Sequence, residues 1–274
     1  MSSTSGTATV PAAAYGFTVE GVAGRVLQPA TDAGRPLMRV QVRAARGSAP
    51  EQVTRTIPLV GGGRLLLERA ARTAIFEFAR PVAEDEIAHP YLGVAASVMA
   101  GWEGWDSLHA GAFVLPGGRA LAVLGAREDG KSTLMAALAL AGVPVLTDDV
   151  LILERGVAHV GPRSVDLRPG TEALLSSAEL ERSRSGERLR LALPPVAACA
   201  PLAGWVALEW GAQVELRALR PAHRLHRLAR AHSRAGDPAD AALLELARLP
   251  GWVLTRPRGA RWLPAVTGRL LELG

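Results

Sequence analysis

The chain has 274 residues, 49% of them hydrophobic but only 4% aromatic, so a core of one large or two small domains must be filled by Leu, Val and Ala. A formal net charge of +5 with interspersed signs, and no long basic tail, argues against nucleic acid as the partner. The single Cys199 excludes an internal disulfide, and no apolar run of about 18 residues is present to span a membrane.

The opening MSSTSGTATVPAAAYG lacks the basic start and apolar stretch of a secretory signal, so a cytoplasmic protein is expected. Residues 1–14 read as a disordered lead-in, and residues 15–103 as a small β-rich region that ends in a helix. Strands are predicted near Phe17–Glu20, Leu37–Arg43, Arg64–Leu67 and Thr73–Phe78, the second and last alternating apolar with polar. Gly61-Gly62-Gly63 is either an anion-binding loop or a hairpin turn, and with no helix signal after it the turn is the better reading. From Glu84 to Trp105 the residues Tyr91, Val94, Ala95, Val98, Met99 and Trp102 fall at helical spacing and predict a core-facing helix.

At residue 104 the texture changes to α/β and holds to residue 274. Ala112–Leu115 and Arg119–Leu124 read as a strand, a turn and a strand. A helix over Ser132–Ala141 stops at Gly142, and Val143–Leu146 is a short strand. Leu151–Glu154 with Val157–Val160 reads as a hairpin, and Gly161–Pro169 as loop, strand and loop. Thr171–Leu180 reads as a helix, and Glu181–Arg190 as a charged link. Trp205–Trp210 with Gln213–Arg217 reads as another hairpin. Helices near 221–232 and 238–249, a strand Trp252–Thr255 and a helix from Leu263 complete the chain.

The most informative stretch is Gly125-Ala126-Arg127-Glu128-Asp129-Gly130-Lys131-Ser132-Thr133, a complete G-x-x-x-x-G-K-[ST] pattern between an apolar strand and a helix. Its glycines let successive backbone N–H groups turn inward onto phosphate oxygens, and the helix adds the positive end of its dipole. Lys131 reaches the outer phosphates and Ser132 places a hydroxyl on Mg²⁺ in such loops. Among 31 Lys+Arg, Lys131 is the only lysine. A compact ammonium survives here against a strong arginine bias, which suits a place among phosphates.

Asp148 and Asp149 stand 17 and 18 positions after Lys131, at the end of the next predicted strand. If neighbouring strands run parallel they end on one edge, which sets both carboxylates beside the phosphates. One carboxylate then holds Mg²⁺ and the other accepts a proton from an incoming hydroxyl; the bland alternative is an Asp-rich turn. His109, in Ser107-Leu-His-Ala-Gly111, precedes the strand pair that feeds the loop, where by spacing alone a lone histidine is more often structural than part of a site.

Together, His109-Ala-Gly111, the loop Gly125–Ser132 and Asp148-Asp149 resemble the catalytic domain of the HPr serine kinase/phosphorylase family, and more closely the HPr-kinase-like proteins of peptide-modifying and related gene contexts. The resemblance covers residues 104–274, with firm motifs to about residue 169. It implies an α/β P-loop kinase domain related to that of phosphoenolpyruvate carboxykinase. It also implies ATP and Mg²⁺ as cofactors and transfer of the γ-phosphoryl to a serine hydroxyl on a small protein or peptide. Carried over, Lys131 grips phosphate, Ser132 and Asp149 hold the metal, Asp148 is the base and His109 tunes it.

Three departures stand out. The loop carries Arg127-Glu128 where small residues are usual. The family's second signature is replaced by Gly161-Pro-Arg163-Ser-Val-Asp166-Leu-Arg168, leaving Arg163, Asp166 and Arg168 either as substrate contacts or as a structural ion-pair cluster. Residues 15–100 do not resemble the long-form enzyme's regulatory domain. The rival readings are a nucleotide-binding regulator without transfer and a partner-coupled NTPase. The basic stretch Arg220–Arg234 reads as a solvated helix face, and His223 with His226 lacks the further ligands of a zinc site. Homo-oligomerisation is left open.

Overall fold

The computed structural model describes residues 11–22, 24–45, 52–171, 180–183, 187–232 and 240–274. The first seven strands are β1 (Ala12–Ala14), β2 (Phe17–Glu20), β3 (Gln28–Pro29), β4 (Leu37–Ala44), β5 (Arg55–Pro58), β6 (Arg64–Glu68) and β7 (Thr73–Phe78). They form one sheet in the order β3-β1-β2-β4-β7-β6-β5. β1 corrects the expected lead-in, because Ala12–Ala14 pairs with both β2 and β3. The three glycines form the β5–β6 turn, all at positive φ, where only glycine is unstrained. Glu77, near the end of β7, lies opposite Arg43 on one side and Arg64 on the other. Its side chain is 0% exposed and pairs with them at 2.9 and 2.6 Å. A carboxylate can be buried there because cross-strand register supplies two guanidiniums.

The expected long helix is broken. α1 (Glu84–Glu86) leads into a wide π turn, Ile87–Tyr91, and then α2 (Leu92–Trp102). Pro90 is the cause: it has no N–H to donate and keeps His89 extended, at φ −148° and ψ 119°. α2 buries its apolar side against the first sheet, in a core with Phe17, Met38, Leu65, Leu67 and Phe76.

The second sheet holds β8 (Asp106–Leu108), β9 (Ala110–Val114), β10 (Ala120–Leu124), β11 (Val145–Thr147), β12 (Leu151–Glu154) and β13 (Val157–His159), with α3 (Lys131–Leu140) after β10. β14 (Ser164–Leu167), β15 (Leu180–Ser183) and β16 (Arg188–Ala192) make a separate three-stranded sheet. The expected charged link is thus largely a strand pair, in which Glu181 and Arg182 are exposed and Arg190 is buried. The helix expected over Thr171–Leu180 lies almost wholly outside the described residues. The chain then returns through β17 (Cys199–Trp210), β18 (Glu215–Ala218), α4 (Pro221–Ala231), α5 (Asp240–Arg248), β19 (Gly251–Arg256) and α6 (Leu263–Leu271).

β17 does not form a hairpin with β18. β19 inserts between them, parallel to β17 and antiparallel to β18. β17 also runs parallel to β10, while its first residues pair with β13. One core lies against α3, α6 and the small sheet, around Phe113, Leu134 and Val206; another, around Trp205 and Leu228, lies beneath α4 and α5. Among the described residues no helix is long and apolar enough to cross a membrane. The cations of α4 are partly committed: Arg224 donates to the Leu219 and Leu249 carbonyls and Arg227 pairs with Glu209.

Buried ions also join the layers. Arg190 holds Asp166 through Nε at 2.7 Å and Nη2 at 3.0 Å, and donates to the carbonyls of Asp85 and His89. Replacing one member of such a pair leaves the other charge buried without compensation. Asp166→Ala is expected to cost about 3–5 kcal/mol, read as a lowered midpoint in urea unfolding. A loss under about 1 kcal/mol would contradict the bracing role.

Candidate functional site

β10 and β11 do not neighbour each other as expected. β9 lies between them, antiparallel to both, so β10 and β11 still point the same way. The ends of β10, β11, β17 and β19 therefore share one edge, and the start of β9 reaches the same edge with His109. Gly111 lets α3 approach β9 closely, since a Cβ there would stand 2.9 Å from Met135 Cγ and Sδ.

Lys131 opens α3 and is only 7% exposed. Its three donors are all placed: on the carbonyls of Gly125 at 2.8 Å and Ala126 at 3.1 Å, and on His109 Nε2 at 3.1 Å. An ammonium can only donate, so Nε2 accepts and Nδ1 carries the ring proton. Nδ1 donates in turn to the Asp149 carbonyl at 3.0 Å, with the Asp149 carboxylate at 3.3 Å. Burial pulls the Lys131 ammonium below its ordinary value, and the nearby Asp149, Asp148 and Asp129 oppose that pull.

The two aspartates differ. Asp148 is 3% exposed; the Ser132 hydroxyl bonds its carboxylate, and Oδ1 is buried with no hydrogen-bond partner. Burial first, then the charge of Asp149, pushes it up to about 7. Asp149 is 46% exposed on its side chain and has φ +94°, a strained conformation for a residue with a Cβ. Asp148 Oδ1 and the Ser132 hydroxyl are a hard-oxygen pair that fits Mg²⁺. Among the described residues no three His, Cys, Asp or Glu gather to hold a metal ion.

Within the loop, Asp129 Oδ2 accepts the Ala126 N–H at 2.5 Å. Glu128 stands at φ +75° and pairs with Arg168 at 2.9 Å. Arg168 is thus brought to the loop, while Arg127 is exposed beside it. Thr133 lies in the first turn of α3 and lines a pocket on the loop's far side. Arg163 and Asp166 are placed differently. Arg163 gives its donors to the carbonyls of Val145, Leu146 and Pro194, which makes it a brace for β11, and Asp166 is held by Arg190. Of the two readings left open for these residues, the structural one fits both, because their polar atoms are spent inside the protein.

Sequence reasoning missed three contributors. Tyr15, 1% exposed, lies close enough to Asp149 and Asp148 for their charges to add to the burial that raises its hydroxyl's pKa. It comes from the β1–β2 turn at φ +59°, and no motif marks it. Trp210 and Arg256 end β17 and β19 as register partners, on the flank of the loop away from the aspartates. Their positions at strand ends were readable; the pairing of those strands was not.

No family model matches the chain, and no curated protein does. Among solved structures, an HPr(Ser) kinase/phosphatase from Coxiella burnetii is similar over 61% of this chain and 88% of that one, at 14% identity and a TM-score of 0.35.

Asp148 generates a pH test. Its folded-state value near 7 lies above the usual 3.8, so between those values the folded protein holds a proton that the unfolded chain releases. In chelator-treated protein, unfolding free energy is expected to fall as pH rises from about 4 to about 7 and then to level. Asp148→Asn should flatten that slope in urea titrations. A slope unchanged in the variant would assign the proton elsewhere.

Proposed function

We propose that this chain is an ATP- and Mg²⁺-dependent kinase that transfers the γ-phosphoryl to a hydroxyl, serine on a small protein or peptide being the acceptor implied by its motifs. One observation carries the proposal: the phosphate-loop lysine, His109 and Asp149 form a hydrogen-bonded chain at a common sheet edge, with the buried Asp148, bonded by the Ser132 hydroxyl, beside it. A structural cluster has no need of a buried carboxylate oxygen without a partner.

The roles follow from the geometry. Ser132 and Asp148 would hold Mg²⁺, which supplies charge neutralisation across the phosphates when bound. Asp149, the exposed member, is the better base. This reverses the division expected from the motif, because a base must reach the hydroxyl it deprotonates and Asp148 is buried under the loop. The acceptor oxygen attacks the γ-phosphorus, its proton passes to the Asp149 carboxylate, and the bond to the β-phosphate oxygen breaks. His109 holds Asp149 on one side and Lys131 on the other, so it sets the distance between base and phosphate grip. Lys131 exchanges its carbonyl contacts for phosphate oxygens, and the Ala126 N–H exchanges the Asp129 carboxylate for another anion.

The test is labelled-phosphate transfer from ATP, with Mg²⁺, to a panel of serine-containing peptides. Asp149→Asn is expected to lower transfer by about 10²–10⁴-fold with nucleotide binding kept. Lys131→Ala should lower it by about 10²-fold or more. ATP binding with no label on any acceptor would indicate a regulator, and brisk phosphate release without acceptor would indicate an NTPase.

A further inference from the structure

Tyr15 reaches the acidic flank of the site from the β1–β2 turn. Its N–H donates to the Val160 carbonyl at 2.6 Å, and Gly161, next to Val160, donates to the Leu146 carbonyl at 2.9 Å. The ring therefore lies beside Thr147, the residue that precedes the two aspartates. Two glycines admit it. A Cβ on Gly161 would stand 3.1 Å from Tyr15 Cε1 and 2.2 Å from Thr147 Oγ1, and one on Gly93 of α2 would stand 3.1 Å from the Tyr15 hydroxyl. Tyr15 is 1% exposed, and its hydroxyl is bonded to that of Thr147. Thr147 gives its own proton to the Val150 carbonyl at 2.7 Å, which closes the turn across Asp148 and Asp149. A hydroxyl has one proton, so Thr147 accepts from Tyr15 and donates to Val150.

We propose that Tyr15 is a positioning residue for phosphoryl transfer: its hydroxyl, acting through Thr147, fixes the turn from which Asp149 reaches the acceptor. The inference rests on the kinase reading of the preceding subsection and assigns a part in it to the amino-terminal sheet. Three features carry it. Asp149 stands at φ +94°, and a strained residue keeps such a backbone only where its surroundings over-determine it. Its side chain is 46% exposed, so the hold comes mainly through the main chain: His109 donates to the Asp149 carbonyl and Thr147 to the Val150 carbonyl. Tyr15 is itself at φ +59°, and a phenylalanine would fill the same space without bringing a polar group into a buried place. A hydroxyl kept there, with its proton aimed at Thr147, serves its hydrogen bond rather than its bulk.

Tyr15→Phe keeps the ring and removes the hydroxyl. Steady-state transfer from Mg-ATP to the serine peptide that the wild-type chain labels best, with urea unfolding alongside, tests the role. The expected result is kcat lowered by at least about 5-fold with KM for Mg-ATP unchanged. Thr147→Val, which breaks the same link from the other side, should lower kcat too. The double variant should be no slower than the slower single one, because both remove one connection. An unchanged kcat in Tyr15→Phe, losses that multiply in the double variant, or a kcat loss matched by a raised KM for Mg-ATP and a lowered urea midpoint would overturn the positioning role and leave the kinase reading standing. A wild-type chain that labels no peptide ends both.

Discussion

A single buried ammonium constrains the site. Lys131 cannot stay charged at 7% exposure without acceptors on all sides, and it finds two loop carbonyls and one imidazole nitrogen. That requirement curls the loop back over the start of α3 and fixes the His109 tautomer. It also turns the ring's other nitrogen toward Asp149. The charge, the loop conformation and Asp149 are therefore linked through four hydrogen bonds rather than assembled independently. The link explains why one lysine persists in a chain that otherwise uses arginine: a guanidinium is too broad to be enclosed by the loop's own carbonyls.

Arginine does other work here. Arg43 and Arg64 with Glu77 tie strands within the first sheet, Arg190 with Asp166 ties β16 to β14, and Arg35 with Glu154 ties the amino-terminal region to β12, all through partly buried pairs. Arg163 does the same with main-chain carbonyls, fastening the strand that delivers the aspartates. The amino-terminal region is joined to the second sheet by the Arg35–Glu154 pair and by Tyr15, whose N–H donates to the Val160 carbonyl at 2.6 Å. It thus supplies part of the floor beneath the acidic flank. The arginine bias and the low aromatic content fit together: where rings are scarce, ion pairs with fixed geometry supply specificity between layers.

The site has two unlike flanks because of strand order. β9 and β11 lie on one side of β10 and bring histidine and carboxylates; β17 and β19 lie on the other and bring Trp210 and Arg256. The loop between them touches both flanks, through Lys131 on the acidic side and through the Asp129 carbonyl on the aromatic side. Strain accumulates at this edge, with Glu128 and Asp149 both at positive φ.

By itself the sequence determined the elements whose signals are local. The strand–loop–helix of residues 121–140, the glycine turn at 61–63, the hairpin of β12 and β13 and the α/β texture after residue 104 all follow from spacing, glycine positions and apolar runs within a few residues of each other. Pro90 is equally local, yet the apolar stripe that continues past it hides the break it makes. Only the tertiary structure decided what depends on partners far along the chain. β9 separates β10 from β11, and β19 enters between β17 and β18. Arg163 and Asp166 turn inward while Arg168 faces the loop, and Asp148 is buried while Asp149 is not. The physical reason is common to all of these. A residue's exposure and its hydrogen-bond partners are set by which strands neighbour each other, and pairing across such long stretches of chain leaves no trace in the composition of either strand.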